Sequence, residues 1–398
     1  MAQSITDIEE RLLRSVQSEA SFPGVALASF TKDGTSHSFA AGPKDSIAGT
    51  EVDLDTGFWV FSVTKLFTAI STLQCIEKGL VGLDDPVGQI LPELAKPQII
   101  SPSPESDPPF KLVPATQSIT VRQLLTHTSG LSYDAMNPNL LAWRKSRGET
   151  PLTMTGSLID AYSLPLLFEP GSGWSYGCSL DWAGVLVERL NGGIKLGEYF
   201  KKHILDPLGL KHTTFHPLDR PDGGAYLAKM HTRNAEGRLI QIDSPYPTRP
   251  HSEKGGMGLV TTSNDLVEVL RDILKDKPLL LKEESISLLF TPQVASGDSR
   301  FADLVKQNAL HSQLTGDGTE TPNVAFGLAA MIVGDGGVPV LPAKSLTWNG
   351  MPNIGWFINR EEDVGAIYLT QMLPPGETQS VSLLQAYWKS VVAARRRD

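Results

Sequence analysis

A serine and a lysine stand three residues apart in Ser62-Val63-Thr64-Lys65, a segment that we predict to open a long amphipathic helix, since no Gly or Pro follows until Gly79. In a helix, two side chains three residues apart are separated by nearly one full turn and lie on the same face. This spacing therefore places a hydroxyl beside an amine. Serine is a poor nucleophile until a neighbouring base takes its proton, and a desolvated lysine can help to do so. We therefore predict that Ser62 is a catalytic nucleophile and that Lys65 assists it.

The same spacing recurs in Ser29-Phe30-Thr31-Lys32, so context must distinguish the two segments. Ser29 ends an apolar run, and a Lys-Asp-Gly turn follows it. This pattern predicts a strand, in which side chains three residues apart point to opposite faces. Ser29 is therefore the weaker candidate for the nucleophile.

A third serine lies in Gly173-Trp174-Ser175-Tyr176-Gly177, which matches the Gly-x-Ser-x-Gly elbow of α/β-hydrolases. That elbow requires a buried strand before the serine and a helix directly after it. Here the preceding residues, Phe168-Glu169-Pro170-Gly171-Ser172, form a turn sequence. We predict that this segment is a loop that presents Tyr176 rather than Ser175.

His127 could be mistaken for a catalytic base, but the sequence favours a buried histidine that caps turns, since Ser62 already has other partners. The eight histidines include a single His-x-x-x-His pair, His212 and His216, and the two cysteines show no Cys-x-x-Cys spacing. Neither pattern indicates a metal site, and we predict no metal or other cofactor.

The elements that must position these residues come from both ends of the chain. A hairpin is predicted over 25–30 and 36–41, and a helix over 378–396. Further strands are predicted at 324–333, 345–348, 354–359 and 364–371. Two polar or Pro-rich segments, 96–118 and 295–323, are predicted to be surface loops.

This distribution predicts an α/β (α+β) fold, with an antiparallel sheet flanked by helices plus a mostly helical lobe. We expect one catalytic domain over 1–398. Its α/β lobe would comprise about 1–60 and 291–398, and its helical lobe about 61–290.

Composition narrows the classes of function. The chain has 398 residues and a net charge of −9, which argues against nucleic acid and anionic membranes as partners. Residues 1–11 predict an amphipathic helix rather than an export signal, and no apolar run is long enough to span a bilayer. Cys75 and Cys178 imply no disulfide framework, so we expect a cytoplasmic protein.

Several further motifs follow Ser62 in order: Leu124-Leu125-Thr126-His127-Thr128-Ser129-Gly130-Leu131, Glu169-Pro170-Gly171, Trp174-Ser175-Tyr176-Gly177, Gly255-Gly256-Met257-Gly258-Leu259-Val260 and Trp348-Asn349-Gly350. With Ser62 and Lys65 they resemble the serine β-lactamase and penicillin-binding-protein superfamily. The resemblance is greatest to its class C-like branch, which includes D-aminopeptidases, family VIII carboxylesterases and the fungal lovastatin-pathway acyltransferase. It covers the whole chain and implies a β-lactamase-like fold.

The resemblance also implies roles for individual residues. Ser62 would be acylated, and Lys65 and Tyr176 would move its proton. Whether Lys65 or Tyr176 is the base stays open, because coupled groups titrate as a unit. The backbone N–H groups of Ser62 and Met351 would form the oxyanion hole. Substrate contacts are assigned to six residues: Trp348, Asn349, Gly350, Trp174, Gly255 and Gly256.

Two departures from the family pattern bear on substrate. Cys178 stands where penicillin-recognising members have an amide-binding asparagine, and Trp348 replaces the lysine of a Lys-Thr-Gly strand. Burying a polar substrate group without its partner costs about 1–3 kcal/mol, so β-lactams and peptides should be poor substrates. Esters or thioesters with apolar surroundings are favoured.

The resemblance therefore implies a serine acyltransferase that moves a small acyl group from a thioester or ester, through acyl-Ser62, to an alcohol of a secondary metabolite. The alternative is a carboxylesterase, and a catalytically silent binding protein on the same fold is a third reading. The expected partners are a small-molecule acyl donor, such as a coenzyme A or carrier-protein thioester, and an alcohol acceptor. A monomer is expected.

Overall fold

A computed structural model describes residues 4–17, 22–306, 308–316, 318–319 and 322–397. Within these residues the chain forms fifteen strands and thirteen α-helices. The strands are β1 (Val25–Thr31), β2 (Gly34–Ala41), β3 (Pro43–Asp45), β4 (Thr50–Glu51), β5 (Phe58–Trp59), β6 (Gln98–Pro102), β7 (Phe110–Pro114), β8 (Met230–Arg233), β9 (Leu239–Ile242), β10 (Val260–Thr261), β11 (Val324–Phe326), β12 (Met331–Val333), β13 (Leu346–Gly350), β14 (Ile354–Asn359) and β15 (Val364–Thr370). The helices are α1 (Ile5–Gln17), α2 (Thr64–Glu77), α3 (Val121–Leu125), α4 (Pro138–Ser146), α5 (Leu158–Tyr162), α6 (Ser179–Leu190), α7 (Leu196–Phe200), α8 (Asp206–Leu208), α9 (Ser263–Leu274), α10 (Glu283–Leu289), α11 (Phe301–Val305), α12 (Asn308–Thr315) and α13 (Thr378–Arg395).

The main sheet has seven antiparallel strands in the order β11-β12-β13-β14-β15-β1-β2. Val25 of β1 lies opposite Thr370 of β15, so the N-terminal hairpin pairs with the last strand. The predicted hairpin and the predicted antiparallel sheet are both confirmed. The division into one domain with two lobes stays a prediction.

Helices cover the centre of this sheet. The helices α1 and α13 pack together, and both α13 and α9 pack on β15. Every residue of β15 is buried, and β14 is buried throughout as well. Strands that are covered on both faces have apolar runs rather than alternating ones, as β14 and β15 do. No helix of the described ranges is long and apolar enough to cross a membrane.

The helix α2 lies inside the protein rather than on its surface. Its residues from Thr64 to Cys75 are all buried, and it packs chiefly against α6. A helix that is surrounded by protein has no solvent-facing side, and this explains why its hydrophobic residues show no single stripe. The N-terminus of α2 is thereby held rigidly at the end of β5, where Ser62 lies.

The prediction of a loop at 96–118 was wrong in part. Strands β6 and β7 form a hairpin there, with Ile100 opposite Leu112. Ile100 is buried against Leu140 and Leu164, while most of β7 is exposed. A strand exposed on both faces carries no alternating pattern, and the proline-rich turn between the strands conceals the hairpin further.

The segment predicted as a loop over 295–323 contains α11 and α12, although 307, 317, 320 and 321 lie outside the described residues. The run 324–333, predicted as one strand, is two strands. Ala329 has a φ of 67° in the connection between them, and this left-handed residue turns the chain back.

Candidate active site

Ser62 lies in a strained turn at the start of α2. The structure corrects the prediction that Ser62 opens the α-helix, because Phe61–Val63 form a 3₁₀ turn and α2 begins at Thr64. Phe61 has a φ of 42°, a left-handed conformation that is rare for a bulky side chain and is often found beside functional residues. In a 3₁₀ turn, residues three apart eclipse each other, which places Lys65 over Ser62.

Lys65 is fully buried and uses its amine for three contacts. Its Nζ atom lies 3.2 Å from Ser62 Oγ, 3.4 Å from Tyr133 Oη and 2.8 Å from the carbonyl oxygen of Gly256. It also lies 4.7 Å from the ring centroid of Tyr176, on whose face a cation is stabilised. Lys65 therefore touches the predicted nucleophile and both tyrosines near it.

Tyr176 approaches Ser62 from the other side. Its hydroxyl lies 2.6 Å from Ser62 Oγ. The loop that carries Tyr176 packs so closely on Ser132 that a Cβ atom at Gly177 would lie 2.3 Å from Ser132 Cα. Ser132 Oγ donates to the Tyr176 carbonyl at 3.2 Å, and Cys178 donates from its thiol to the Ser132 carbonyl at the same distance. The glycine is required because only it permits this approach.

Ser175 is not in this cluster. Its backbone N–H donates to the carbonyl oxygen of His127, and it follows a turn rather than a strand. The prediction that the loop presents Tyr176 agrees with this arrangement. Ser29 lies in β1, opposite Ala366, and is 4% exposed.

An aromatic layer lies behind Tyr176. Trp348 and Trp174 do not line the cavity at Ser62, because both are buried with 2% of their surface exposed. Their ring centroids lie 5.5 Å and 6.5 Å from that of Tyr176. Both rings pack against Tyr176, and their contact with substrate stays a prediction.

His127 belongs to the same layer, and its ring centroid lies 4.8 Å from that of Tyr176. Neither ring nitrogen has a hydrogen-bond partner within the described chain, so the predicted capping role of its side chain was wrong. Burial, and then the charge of Lys65, lower the pKa of His127 well below its usual value. The ring is therefore a neutral packing group.

Gly255 and Gly256 also lie outside the cavity lining, and their contact with substrate stays a prediction. A Cβ atom would lie 2.4 Å from the Leu180 carbonyl oxygen at Gly255 and 2.4 Å from Asp181 Oδ2 at Gly256. Their backbone lies against α6 and supplies the carbonyl that Lys65 contacts. Through the Gly256 carbonyl, this segment holds the amine of Lys65.

The end of β13 lies against the turn that carries Ser62. A Cβ atom at Gly350 would lie 2.4 Å from the Val60 carbonyl oxygen, and this close approach brings Met351 next to Ser62 on the cavity wall. Asn349 and Gly350 line the same cavity. All three residues at this end of β13 therefore line the cavity, and their contacts with substrate or an oxyanion stay predictions.

The cavity has a volume of about 370 Å³ and opens at Ser62. Ser62, Tyr176 and Tyr133 supply hydroxyl groups to it. Four of its lining residues are methionines: Met136, Met154, Met257 and Met351. Methionine is flexible and polarizable, so such a wall adapts to apolar groups of different shapes.

Sequence reasoning missed Tyr133 and Asp181. Tyr133 Oη donates to Asp181 Oδ2 at 3.1 Å, and both side chains are buried. One sequence feature could have indicated Asp181: it is an acidic residue between Leu180 and Trp182 in an apolar helix. A carboxylate is rarely buried in such a position unless it has a partner. Nothing in the sequence singles out Tyr133. Within the described ranges no cluster of His, Cys, Asp or Glu has the geometry of a metal site.

Comparisons with known proteins agree with this arrangement. Residues 9–386 match the model of the beta-lactamase family. The acyltransferase calJ of Penicillium decumbens is 39% identical over 334 residues, which cover 83% of this chain and 79% of that protein. The lovastatin esterase of Penicillium rubens is 32% identical over 346 residues, 84% and 85% of the two chains. Simvastatin synthase (LovD) from Aspergillus terreus superimposes with a TM-score of 0.88 at 29% identity, covering 100% of both chains. The chain therefore belongs to the beta-lactamase family.

Proposed function

We propose that this protein is a serine acyltransferase that carries a small acyl group from a thioester or ester donor to an alcohol of a secondary metabolite. The observation that carries the proposal is the position of Ser62 Oγ, within hydrogen-bonding distance of both Lys65 and Tyr176 at the wall of a largely apolar cavity. Relatives named as acyltransferases and as an esterase support the same chemistry.

The first half-reaction forms the acyl-enzyme. Ser62 Oγ attacks the donor carbonyl while the Lys65–Tyr176 pair takes the hydroxyl proton. The N–H groups of Ser62 and Met351 would stabilise the oxyanion, and each such donor is worth about 3 kcal/mol. The carbonyl then re-forms, the carbon–sulfur or carbon–oxygen bond of the donor breaks, and the leaving group takes the proton.

The second half-reaction reverses the first with a different hydroxyl group. The acceptor alcohol loses its proton to the same pair and attacks the acyl carbon, and Ser62 leaves with the proton restored. A bound acceptor has a high effective molarity beside the acyl group, so it can compete with water. The apolar walls of the cavity favour an acceptor that displaces water.

A carboxylesterase is the second candidate, since water completes the same acyl-enzyme chemistry and one relative is named a lovastatin esterase. Transfer is favoured by the acyltransferase calJ, which is more similar to this chain than that esterase is. The donor is proposed to be a coenzyme A or carrier-protein thioester, and the protein to act as a monomer. Two buried free cysteines, Cys75 and Cys178, fit a reducing cytoplasm.

Intact-mass measurement tests the proposal. Incubation with short acyl thioesters should add one acyl mass to the protein, and peptide mapping should find it on Ser62. An alcohol acceptor should remove it as an ester product faster than water does. Ser62→Ala should abolish the adduct, whereas Ser175→Ala should retain it. An adduct on Ser175 would refute the assignment, and rapid hydrolysis with every alcohol of a broad panel would establish an esterase.

A further inference from the structure

Two bridges link Lys65 to a buried carboxylate that does not touch Ser62. The peptide of Gly256 forms one bridge: its carbonyl accepts from Lys65 Nζ at 2.8 Å and its N–H donates to Asp181 Oδ1 at 2.9 Å. The hydroxyl of Tyr133 forms the other, at 3.4 Å from Lys65 Nζ and 3.1 Å from Asp181 Oδ2. Lys65 and Asp181 both have no exposed surface.

The protons of this network are consistent with an ammonium at Lys65 and a carboxylate at Asp181. An ammonium group has three N–H donors, and Lys65 has three oxygen acceptors around it. Because Tyr133 accepts from Lys65, its single proton is free for Asp181. Asp181 then receives one hydrogen bond on each oxygen and needs to donate none, as an ionised carboxylate requires. For a proton to pass from Lys65 to Asp181, the Tyr133 hydroxyl would have to reverse, so that it accepts from Asp181 and donates to Lys65 Nζ.

We infer that Asp181 is the counter-ion of Lys65 and, through Tyr133 and the Gly256 peptide, keeps it as an ammonium, so that Tyr176 takes the proton of Ser62. The inference rests on the proposed function. It makes Asp181 and Tyr133 positioning residues, since they act on Lys65 rather than on the reacting atoms. A buried cation needs such a partner, because an unpaired charge is costly in the interior.

The other ionisable groups that face this network do not replace Asp181. Burial lowers the pKa of His127 and raises the pKa of Cys178, so both are neutral. Burial also lowers the pKa of Lys254, whose amine donates to the Thr153 carbonyl at 2.8 Å. The neighbouring carboxylate, Asp134, already pairs with Arg144 at 3.0 Å.

The state of Asp181 itself is a balance. Burial raises the pKa of Asp181 above its usual value, and the charge of Lys65, the Gly256 N–H, the charge of Lys254 and the Tyr133 hydroxyl offset only part of that rise. The pKa of Tyr133 is raised well above its usual value by burial first and then by the Asp181 charge, so its phenol stays protonated and available as a donor.

Asp181→Asn tests the inference through the pH dependence of ester turnover. Removal of a negative charge eases proton loss from both the ammonium and Tyr176, so both limbs of the pH–rate profile should move to lower pH. An opposite charge at such short range typically accounts for roughly 1–3 pH units. A pH–rate profile with a lower maximum rate but limbs at the wild-type pH values would overturn the inference. A purely structural role of Asp181 would lower the rate without moving the limbs.

Tyr133→Phe provides a second variant that keeps the ring and its packing, should Asp181→Asn fail to fold. It removes one bridge, so the alkaline limb should move in the same direction by less. Asp272→Asn is the matched control, because Asp272 is a buried carboxylate whose partners are Lys275, Leu279 and Leu280. It should lower stability and leave the profile in place.

The experiment separates failure of this inference from failure of the proposed function. If the wild-type protein forms no acyl-Ser62, the proposed function fails and the inference fails with it. If the wild type is acylated and both variants keep the wild-type limbs, only the inference is refuted.

Discussion

At the scale of single residues, the proton of Ser62 is the centre of the site. Tyr176 Oη lies closer to Ser62 Oγ than Lys65 Nζ does, 2.6 Å against 3.2 Å. The tyrosine hydroxyl bonds to no other described residue, whereas the lysine amine has two further acceptors. This difference favours a mechanism in which Lys65 supplies a positive charge and Tyr176 accepts and returns the proton of Ser62.

We predict that Lys65→Ala and Tyr176→Phe each lower the turnover of a chromogenic ester at least about 100-fold, since acid–base assistance is typically worth 10² to 10⁴. The double variant should be little slower than the slower single variant, because both residues serve one proton transfer. Circular dichroism should show that the fold is intact. Losses that multiply in the double variant would show that the two residues act independently.

The sequence was informative about these residues where chemistry constrains type and spacing, as for Ser62 and Lys65. It was uninformative where a side chain's neighbours come from distant segments. Trp348 was expected on the cavity wall, but the register of β13 and β14 turns it towards Tyr176 and Phe326. Asp181 reaches the site only because α6 packs on α2, a contact that no local pattern encodes.

At the scale of elements, two close backbone contacts hold the site. The loop of Tyr176 lies on Ser132 through Gly177, and the end of β13 lies on Val60 through Gly350. Neither glycine has the left-handed φ that would explain it as a turn residue. Glycine is required at both positions because a side chain would leave too little space. The close contacts set the distance between the elements that carry the reacting groups.

Gly350→Ala should therefore separate β13 from the turn that carries Ser62. The new Cβ atom would lie 2.4 Å from the Val60 carbonyl oxygen, and overpacking of this kind costs about 1–3 kcal/mol. We expect a lower melting temperature and a loss of acylation, because Met351 moves away from Ser62. Gly34→Ala is the control, since no atom lies within 4 Å of its Cβ position. Equal acylation rates in the two variants would contradict this prediction.

Sequence patterns predicted the elements that have a buried face and failed where they do not. The strands β14 and β15 were evident from continuous apolar runs that end at polar residues. The hairpin of β6 and β7 was not, because solvent on β7 removes the hydrophobic signal. The helices α11 and α12 were missed because they are short and lie in a polar segment, although each buries a leucine, Leu304 and Leu314.

At the scale of the whole molecule, the protein is acidic, yet its active-site cavity is uncharged. The net charge is −9, and no Asp, Glu, Lys, Arg or His lines the cavity within the described residues. The polar groups on its wall are hydroxyls and amides, such as those of Thr153, Gln313 and Asn349. Such a wall can orient a neutral molecule but offers no partner to an ionised one.

We predict that neutral acceptors are acylated at least about 10-fold faster, as kcat/KM, than the same acceptors with a free carboxylate, because burying an unpaired carboxylate is costly. An acid and its methyl ester form the matched substrate pair. Met136→Arg should narrow the difference, since Met136 lines the cavity and is 56% exposed, so a cation there can meet the acid without disturbing the core. A wild-type preference for the acid would refute this view of the cavity.

The pairing of β1 with β15 also determines when the enzyme can become active during translation. The ribosome delivers β1 among the first residues and β15 only after Ser62, Lys65 and Tyr176 have all been made. Until then, one edge of β1 has no neighbour, and an unpaired strand edge invites association with other chains. Nascent chains should therefore depend on chaperones, and a message truncated before residue 364 should yield an insoluble product that contains all three reactive side chains and has no activity.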